Sequence, residues 1–175
     1  KGADVNCRGA GGLAPLMAAV ERGHMPMVTL LLRHRAEVGV VDSRRRTPLL
    51  LAARASAESD EVLVALLDAQ ASLHGADEEG RSALHEGAAC GHEAAVALLL
   101  RQRATVDAPT HSGATPLLFA AAGGHDRAAM ALLRAGASHG ASHDGVTPVH
   151  AAAAGLHASC VSLLLGAGGS AHSAA

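Results

Sequence analysis

The stretch that decides the fold is Asp77-Glu78-Glu79-Gly80-Arg81-Ser82-Ala83-Leu84-His85, and a shorter version, Gly145-Val146-Thr147-Pro148-Val149-His150, returns near the end of the chain. At its centre is a Thr-Pro-like pair, which occurs five times with spacings of 33, 35, 33 and 32 residues. The five pairs are Ala14-Pro15, Thr47-Pro48, Ser82-Ala83, Thr115-Pro116 and Thr147-Pro148. A constant period of this size predicts an array of small repeated units instead of one globular core.

Two further markers keep the same period. The first is a residue pair that ends in Ala, with Gly in place of Ala in the last pair. It occurs at Gly2-Ala3, Arg35-Ala36, Gln70-Ala71, Arg103-Ala104, Gly136-Ala137 and Gly168-Gly169. The second is Gly-His, at Gly23-His24, Gly91-His92 and Gly124-His125, with His157 in the same place in the last unit. Three markers in phase along the whole chain make a chance repeat untenable.

Each unit predicts a pair of short helices. Thr before Pro favours a helix start, because the hydroxyl accepts a free N–H and Pro lacks the donor that would stay unbonded. In the first unit we expect a helix over residues 15–22 that Gly23 ends, and a second helix over residues 25–33. Helices of two to three turns are unstable alone in water, so neighbouring pairs must stack on each other.

The repeated loops need left-handed backbone at fixed positions. Gly adopts this conformation without strain, but Arg35, Gln70 and Arg103 stand where the repeat favours Gly. In the last unit Leu156 takes the place of the Gly that precedes His. We expect each substitution to cost about 1 kcal/mol.

The repeated motif resembles the ankyrin repeat, whose pattern runs D-x-x-G-x-T-P-L-H, then an apolar helix with L-L-L, then G-A-D-V-N. The chain opens with Gly2-Ala3-Asp4-Val5-Asn6 and carries Leu triplets at 30–32, 98–100 and 163–165. The resemblance covers essentially all of the chain and implies an all-α, gently curved solenoid with short β-hairpin-like fingers. We expect one array with the end of a preceding repeat at 1–8 and repeats at about 9–41, 42–76, 77–109, 110–141 and 142–173.

Composition excludes several classes of protein. Charged residues make up 17% and the net charge is −2, which argues against a nucleic-acid-binding surface. No apolar run approaches the roughly 18 residues of a membrane span, so we expect no membrane insertion. The Cys number is odd, at Cys7, Cys90 and Cys160, without a C-x-x-C pair. Reduced thiols predict an intracellular, cytoplasmic protein, with nuclear or cytoskeletal locations left open.

Catalytic motifs are missing from the sequence, and we expect no enzyme activity and no cofactor. Six of the 12 His residues fit structural slots of the repeat. We expect the rings of His85 and His150 to bridge backbone groups at the base of the fingers. The other four should close the turn between the helices, and they are His24, His92, His125 and His157. Two interpretations, a metal site and solvated finger residues, apply to His139, His143 and Asp144 and to the pair His111 and His143. We favour the solvated residues, because stacked units lie about 10 Å apart and zinc–nitrogen bonds are about 2.0–2.1 Å.

The resemblance implies a protein-binding surface made of finger tips and the exposed faces of the first helices. The matching positions are Leu13, Glu21, Arg22, Ser43, Arg44, Arg46, Arg54, Glu78, Glu79, Arg81, Cys90, His111, Ser112, His143 and Asp144. Arg44-Arg45-Arg46 is the sharpest charge feature, and the next tip carries Asp77-Glu78-Glu79. It has two interpretations: pairing between neighbouring fingers, and recognition of a partner with an acidic patch. We expect Arg44 and Arg46 to be exposed.

The expected function is a non-catalytic interaction scaffold for another protein of unknown identity. Two alternatives remain open: a regulatory or substrate-recruiting domain of a larger enzyme or ubiquitin-ligase adaptor, and a structural part of a cytoskeletal or ciliary assembly. The last unit is as apolar as an internal one, and Gly168-Gly169 predicts an exit toward another finger. We therefore expect a fragment of a longer protein, with further repeats or a partner at both ends.

Overall fold

Ten α-helices form five consecutive pairs in the structure, a computed structural model that describes residues 4–55, 60–140 and 144–172. A single 3₁₀ turn, Ala10–Gly12, precedes the first helix. The first helices of the pairs are α1 (Pro15–Glu21), α3 (Pro48–Arg54), α5 (Ala83–Ala89), α7 (Pro116–Ala122) and α9 (Pro148–Ala154). The second helices are α2 (Met25–Arg33), α4 (Asp60–Asp68), α6 (Glu93–Arg101), α8 (Asp126–Arg134) and α10 (Ala158–His172).

The predicted helix starts are confirmed in position, and their capping bonds vary. The hydroxyl of Thr47 accepts the N–H of Leu50 at 3.3 Å, and that of Thr147 accepts the N–H of His150 at 3.3 Å. Thr115 makes no such side-chain bond, although α7 starts at the next residue. Pro at the first helical position is therefore sufficient to begin the helix, because its φ is already helical.

The array curves toward its first helices. Each first helix from α1 to α7 has seven residues, whereas each second helix from α2 to α8 has nine. Over the first three units, neighbouring first helices contact each other more extensively than neighbouring second helices do, whereas α6 and α8 also pack closely. The first helices and the fingers beside them therefore form the concave face, and the second helices form the convex face.

The core is built from Leu and Ala side chains between neighbouring pairs. Leu99 and Leu132, in the middle of α6 and α8, are fully buried, as their helical phase predicts. Small Ala residues such as Ala120 and Ala152 are also fully buried and let the helices approach closely. The chain has one aromatic residue, so close packing of small side chains replaces large core anchors.

A row of histidines joins the third, fourth and fifth units each to the one before it. The ring nitrogens of His92, His125 and His157 lie 3.0, 2.9 and 3.1 Å from the carbonyl oxygens of Ala53, Ala89 and Ala122. These carbonyls lie at the ends of the preceding first helices, where they have no partner within the helix. The sequence predicted that the His residues close the turn between helices; the structure adds that they connect the units.

The left-handed positions are confirmed. Arg35, Gln70 and Arg103 have φ of 62°, 64° and 66°, and Leu156 has φ of 60°. Arg45 shares this conformation with φ of 61°, which the sequence did not predict.

The predicted exit after the last helix is wrong, because α10 continues to His172. In earlier units the Ala after the left-handed residue is buried, as for Ala36, Ala71 and Ala137. That burial holds the chain in its turn. Gly169 stands in the place of that Ala and has no methyl group to bury, and the helix continues through it.

No strand occurs within the described ranges, where one isolated antiparallel bridge joins Ala76 and Ser82 at the base of a finger. The described helices include none that is long and apolar enough to cross a membrane.

Candidate functional site

A buried acceptor shapes each of three successive fingers, named finger two (residues 42–46), finger three (residues 77–81) and finger four (residues 110–114). In finger two, Asp42 Oδ1 accepts the N–H groups of Arg44 and Arg46, both at 2.9 Å. In finger three, Asp77 Oδ1 accepts those of Glu79 and Arg81, at 3.0 and 2.8 Å. Thr110 supplies the acceptor in finger four, where its hydroxyl binds the N–H of Ala114 at 3.1 Å. The first residue of each finger therefore fixes the turn.

Backbone hydrogen bonds then join the fingers into a row. Ser43 donates its N–H to the carbonyl of Gly11 at 2.8 Å. Glu78 donates to the carbonyl of Arg44 at 3.1 Å, and His111 donates to that of Glu79 at 2.9 Å. The tip side chains are thus held at fixed spacing along the concave face.

The first cleft on this face, the arginine cleft, lies between the first two units. It has a volume of about 570 Å³ and is lined by Glu21, Arg22, Arg44, Arg46, Leu51, Arg54 and Ala55. Arg22 and Arg54 lie at the ends of α1 and α3, and Arg44 lies at the tip of finger two. Arg22, Arg44 and Arg54 are exposed, so their guanidinium groups are available to a ligand.

Arg46 behaves differently from the other three arginines. Its guanidinium lies 2.6 Å from Asp42 Oδ2 and 3.8 Å from Glu21, and its side chain is 24% exposed. The expectation that Arg46 is exposed is therefore wrong, because the buried carboxylate of Asp42 draws it inward. Burial raises the pKa of Asp42, but the hydrogen bonds from Arg46 and Arg44 outweigh burial and lower that pKa below its ordinary value. Arg46 thus connects finger two to α1 through its ion pairs with Asp42 and Glu21.

The second cleft, the glutamate cleft, lies between the third and fourth units. It has a volume of about 340 Å³ and is lined by Glu78, Glu79, Arg81, Thr110, His111, Ser112 and Phe119. Arg81 lies over the ring of Phe119, at 5.2 Å from its centroid, and pairs with Glu86 at 3.6 Å. Glu78 and Glu79 are exposed at the tip and contribute negative charge.

His85 supports the glutamate cleft from below. Its ring meets that of Phe119 edge to face, with centroids 5.6 Å apart. Nδ1 lies 3.1 Å from the backbone nitrogen of Ser82, and Nε2 lies 3.2 Å from the carbonyl of Ala114. This confirms the predicted bridging role. Burial lowers the pKa of His85, so the ring is favoured in its neutral form.

Comparison with known proteins agrees with this geometry. The model of the family described as ankyrin repeats matches residues 1–74, 16–110 and 102–173. The chain belongs to the ankyrin-repeat family. Ankyrin repeats are generally modules of protein–protein interaction.

Curated relatives include two ankyrin-containing Notch proteins. Neurogenic locus notch homolog protein 1 of Xenopus tropicalis is 37% identical over 118 residues, which is 66% of this chain. Neurogenic locus notch homolog protein 2 of Homo sapiens is 38% identical over 109 residues, which is 61% of this chain. In both cases the matched stretch is 4% of the relative's length.

The remaining predicted surface residues of the ankyrin array have separate environments. Leu13 is half-buried and packs against the core, whereas Ser43 and Asp144 are exposed. Cys90 is exposed at the end of α5. Partial burial of its thiol and the negative charge of Glu86 raise the pKa of Cys90, while the positive charge of Arg54 lowers it by less. His143 lies outside the described residues.

The two interpretations of the charged tips now have different support. No ion pair joins the Arg44–Arg46 tip to the Asp77–Glu79 tip among the residues described, where Arg46 instead pairs within its own unit and with Glu21. The contact between the two fingers is the backbone bond from Glu78 to Arg44. The charges of the exposed tip residues therefore remain turned to solvent, and these residues are Arg44, Arg45, Glu78 and Glu79.

Metal binding finds no support in the described part of the chain, where no group of three or more His, Cys, Asp or Glu side chains has the right arrangement. The alternative set of His139, His143 and Asp144 includes His143, which lies outside the described residues.

Sequence reasoning missed Phe119, Glu86 and Leu51. The three occupy equivalent positions in α7, α5 and α3, one residue after the His slot of the motif. Phe119 is the one aromatic residue of the chain. A lone aromatic residue four positions after a Thr was the signal in the sequence that could have identified it, because this position lies next to a finger.

Proposed function

We propose that this ankyrin array is a non-catalytic scaffold that binds another protein with its concave face. The observation that supports this most strongly is the pair of clefts, which lie on the same face and are both formed by finger tips and first helices. Both clefts are open and are lined by residues from two neighbouring units. Such a surface suits an extended or protruding part of a partner rather than a small substrate enclosed from water.

The electrostatics of the face agree with partner binding. Arg22, Arg44 and Arg54 gather positive charge that no ion pair among the described residues neutralises. Guanidinium groups in this setting bind carboxylates with good geometry and low desolvation cost. Charges of one sign at an interface raise the association rate and select partners of the opposite sign.

Capture from a native extract tests the proposal. The bait is the full chain, compared with Arg22→Gln/Arg44→Gln/Arg54→Gln and with the matched variant Arg33→Gln/Arg101→Gln/Arg134→Gln. The control residues are exposed at the ends of second helices, so both variants lose the same charge. Quantitative mass spectrometry should show specific partners reduced about threefold or more by the concave variant and unchanged by the control. Equal retention by all three baits would refute the concave face as the binding surface.

A further inference from the structure

The two clefts carry opposite charge on side chains with no partner of their own. Arg22, Arg44 and Arg54 take part in none of the ion pairs of the described residues. The same holds for Glu78 and Glu79, since Arg81 beside them pairs with Glu86 and lies over Phe119. The concave face is therefore positive at the first two units and negative at the third and fourth.

The separation of the charges follows from the stacking of the units. Glu78 and Glu79 lie on the finger next to that of Arg44, since the N–H of Glu78 bonds to the carbonyl of Arg44 at 3.1 Å. The glutamates are therefore one unit from Arg44 and Arg54, which at the spacing of packed helices is about 8–10 Å. An extended chain rises about 3.3 Å per residue, so about three residues span that distance.

The spacing is also rigid. Asp42 and Asp77 each hold two backbone N–H groups of their finger, at 2.8–3.0 Å. Backbone bonds from Glu78 to Arg44 and from His111 to Glu79 join fingers two, three and four. A rigid pair of sites favours a ligand whose own charges match the spacing, because no ordering of the surface is needed on binding.

We infer that the partner supplies an extended segment with acidic side chains at one end and basic side chains at the other, about three residues apart. The acidic end occupies the arginine cleft, and the basic end reaches Glu78 and Glu79. This rests on the proposed function and names the chemistry of the partner.

Polyanions fit the same surface poorly. A nucleic-acid strand or a uniformly acidic peptide that fills the arginine cleft would pass Glu78 and Glu79 with further negative charge. Like charges brought together at an interface oppose binding, so the glutamates select against such ligands.

Synthetic peptides test the inference with fluorescence anisotropy at low ionic strength, where charge effects are largest. The matched peptide has a Glu pair and a Lys pair with two Gly or Ser residues between them, which places the pairs about three residues apart. The first comparison peptide has the same composition with the pairs one residue apart. The second has Gln in place of Lys.

Each charge pair at an exposed surface contributes a modest factor, so the expected changes are about threefold to tenfold for two charges. The matched peptide should bind that much more tightly than either comparison peptide. Arg44→Gln/Arg54→Gln should weaken it, and the control Arg33→Gln/Arg134→Gln should not. Glu78→Gln/Glu79→Gln should weaken the matched peptide and leave the Gln peptide unchanged. Circular dichroism checks that each variant is folded.

The inference fails if the two spacings bind equally, if the glutamate variant has no effect on the matched peptide, or if no peptide binds. Failure here differs from failure of the proposed function. A partner whose capture depends on Arg22, Arg44 and Arg54 would still show concave binding, without this charge pattern.

Discussion

Fingers two and three have the same turn and different chemistry. In both, a buried Asp accepts two backbone N–H groups, and the fourth residue is left-handed. That fourth residue is Arg45 in finger two, with φ of 61°, and Gly80 in finger three, with φ of 80°. The comparison teaches that the first and fourth residues determine the turn, while the tip side chains between them are free to vary.

The space around the fourth residue determines which finger can carry a side chain at that position. A Cβ added to Gly80 would lie 2.9 Å from the backbone nitrogen of His111, which cannot move without breaking the row of fingers. Arg45 instead borders a cavity of about 750 Å³ that also includes Asp77 and Glu78 in its lining. Finger two therefore carries backbone strain without a steric clash.

The largest expected difference between the fingers concerns their Asp residues. Asp42→Ala removes two backbone hydrogen bonds and leaves the half-buried Arg46 without its carboxylate partner. We expect a loss of about 3 kcal/mol in the free energy of unfolding. Asp77→Ala removes two backbone bonds and no ion pair, so we expect about 2 kcal/mol. Urea unfolding of both variants measures the difference, and a larger loss for Asp77→Ala would contradict the role of Arg46.

The left-handed position of finger three should be the next most sensitive. Gly80→Ala places a Cβ at positive φ and against His111, and we expect a loss of about 2 kcal/mol. Gly136→Ala is the matched control, because φ is also positive there and nothing lies within 4 Å of the added Cβ. If the free energy of unfolding falls equally in the two variants, the contact with His111 contributes nothing to the loss of stability.

The pH dependence of finger two has a definite sign. The pKa of Asp42 is lowered in the folded protein from its ordinary value of 3.8, so the stabilising effect of the carboxylate is fully present above about pH 4 and is lost as the pH falls through the folded pKa. The stability difference between the wild type and Asp42→Asn should therefore shrink from pH 7 to pH 3. Urea titrations at both pH values measure it; a constant difference would mean that the charge of Asp42 contributes no stability.

The smallest expected effect is a gain. Arg45→Gly relieves left-handed strain without loss of a hydrogen bond or ion pair from the described structure, so we expect an increase of about 1 kcal/mol. The thermal midpoint should rise relative to Arg44→Gly, where no positive φ is relieved. A decrease for Arg45→Gly would show that this side chain has a structural contact in solution.

The periodic features of the fold could be predicted from the sequence. The N-cap pairs, the Gly-His turns and the left-handed positions at Arg35, Gln70 and Arg103 recur from unit to unit, which is why the sequence predicts them. The path after Gly168 was not predicted, because Gly169 fits the repeat pattern as well as Ala does. It lacks the methyl group whose burial holds the earlier turns.

The candidate site was partly predictable for a similar reason. Repeat slots placed Arg22, Arg44 and Arg54 together with Glu21 on one face, and these residues do line one cleft. The separate role of Arg46 depends on the direction its side chain takes toward Asp42. Individual side-chain pairings of this kind differ between units and have no periodic signal in the sequence.

Site-directed photo-crosslinking tests the central claim most directly, using an exposed thiol that lies on the concave face. In a Cys7→Ser variant, Cys90 is the remaining exposed thiol, because Cys160 is buried. A benzophenone attached there lies beside Arg54 and Glu86, between the two clefts. The matched control carries the label on the convex face, as Met130→Cys in a Cys7→Ser/Cys90→Ser background, since Met130 is exposed on α8. The account predicts that a partner captured by the chain crosslinks strongly from Cys90 and weakly from position 130; equal or stronger crosslinking from position 130 would contradict it.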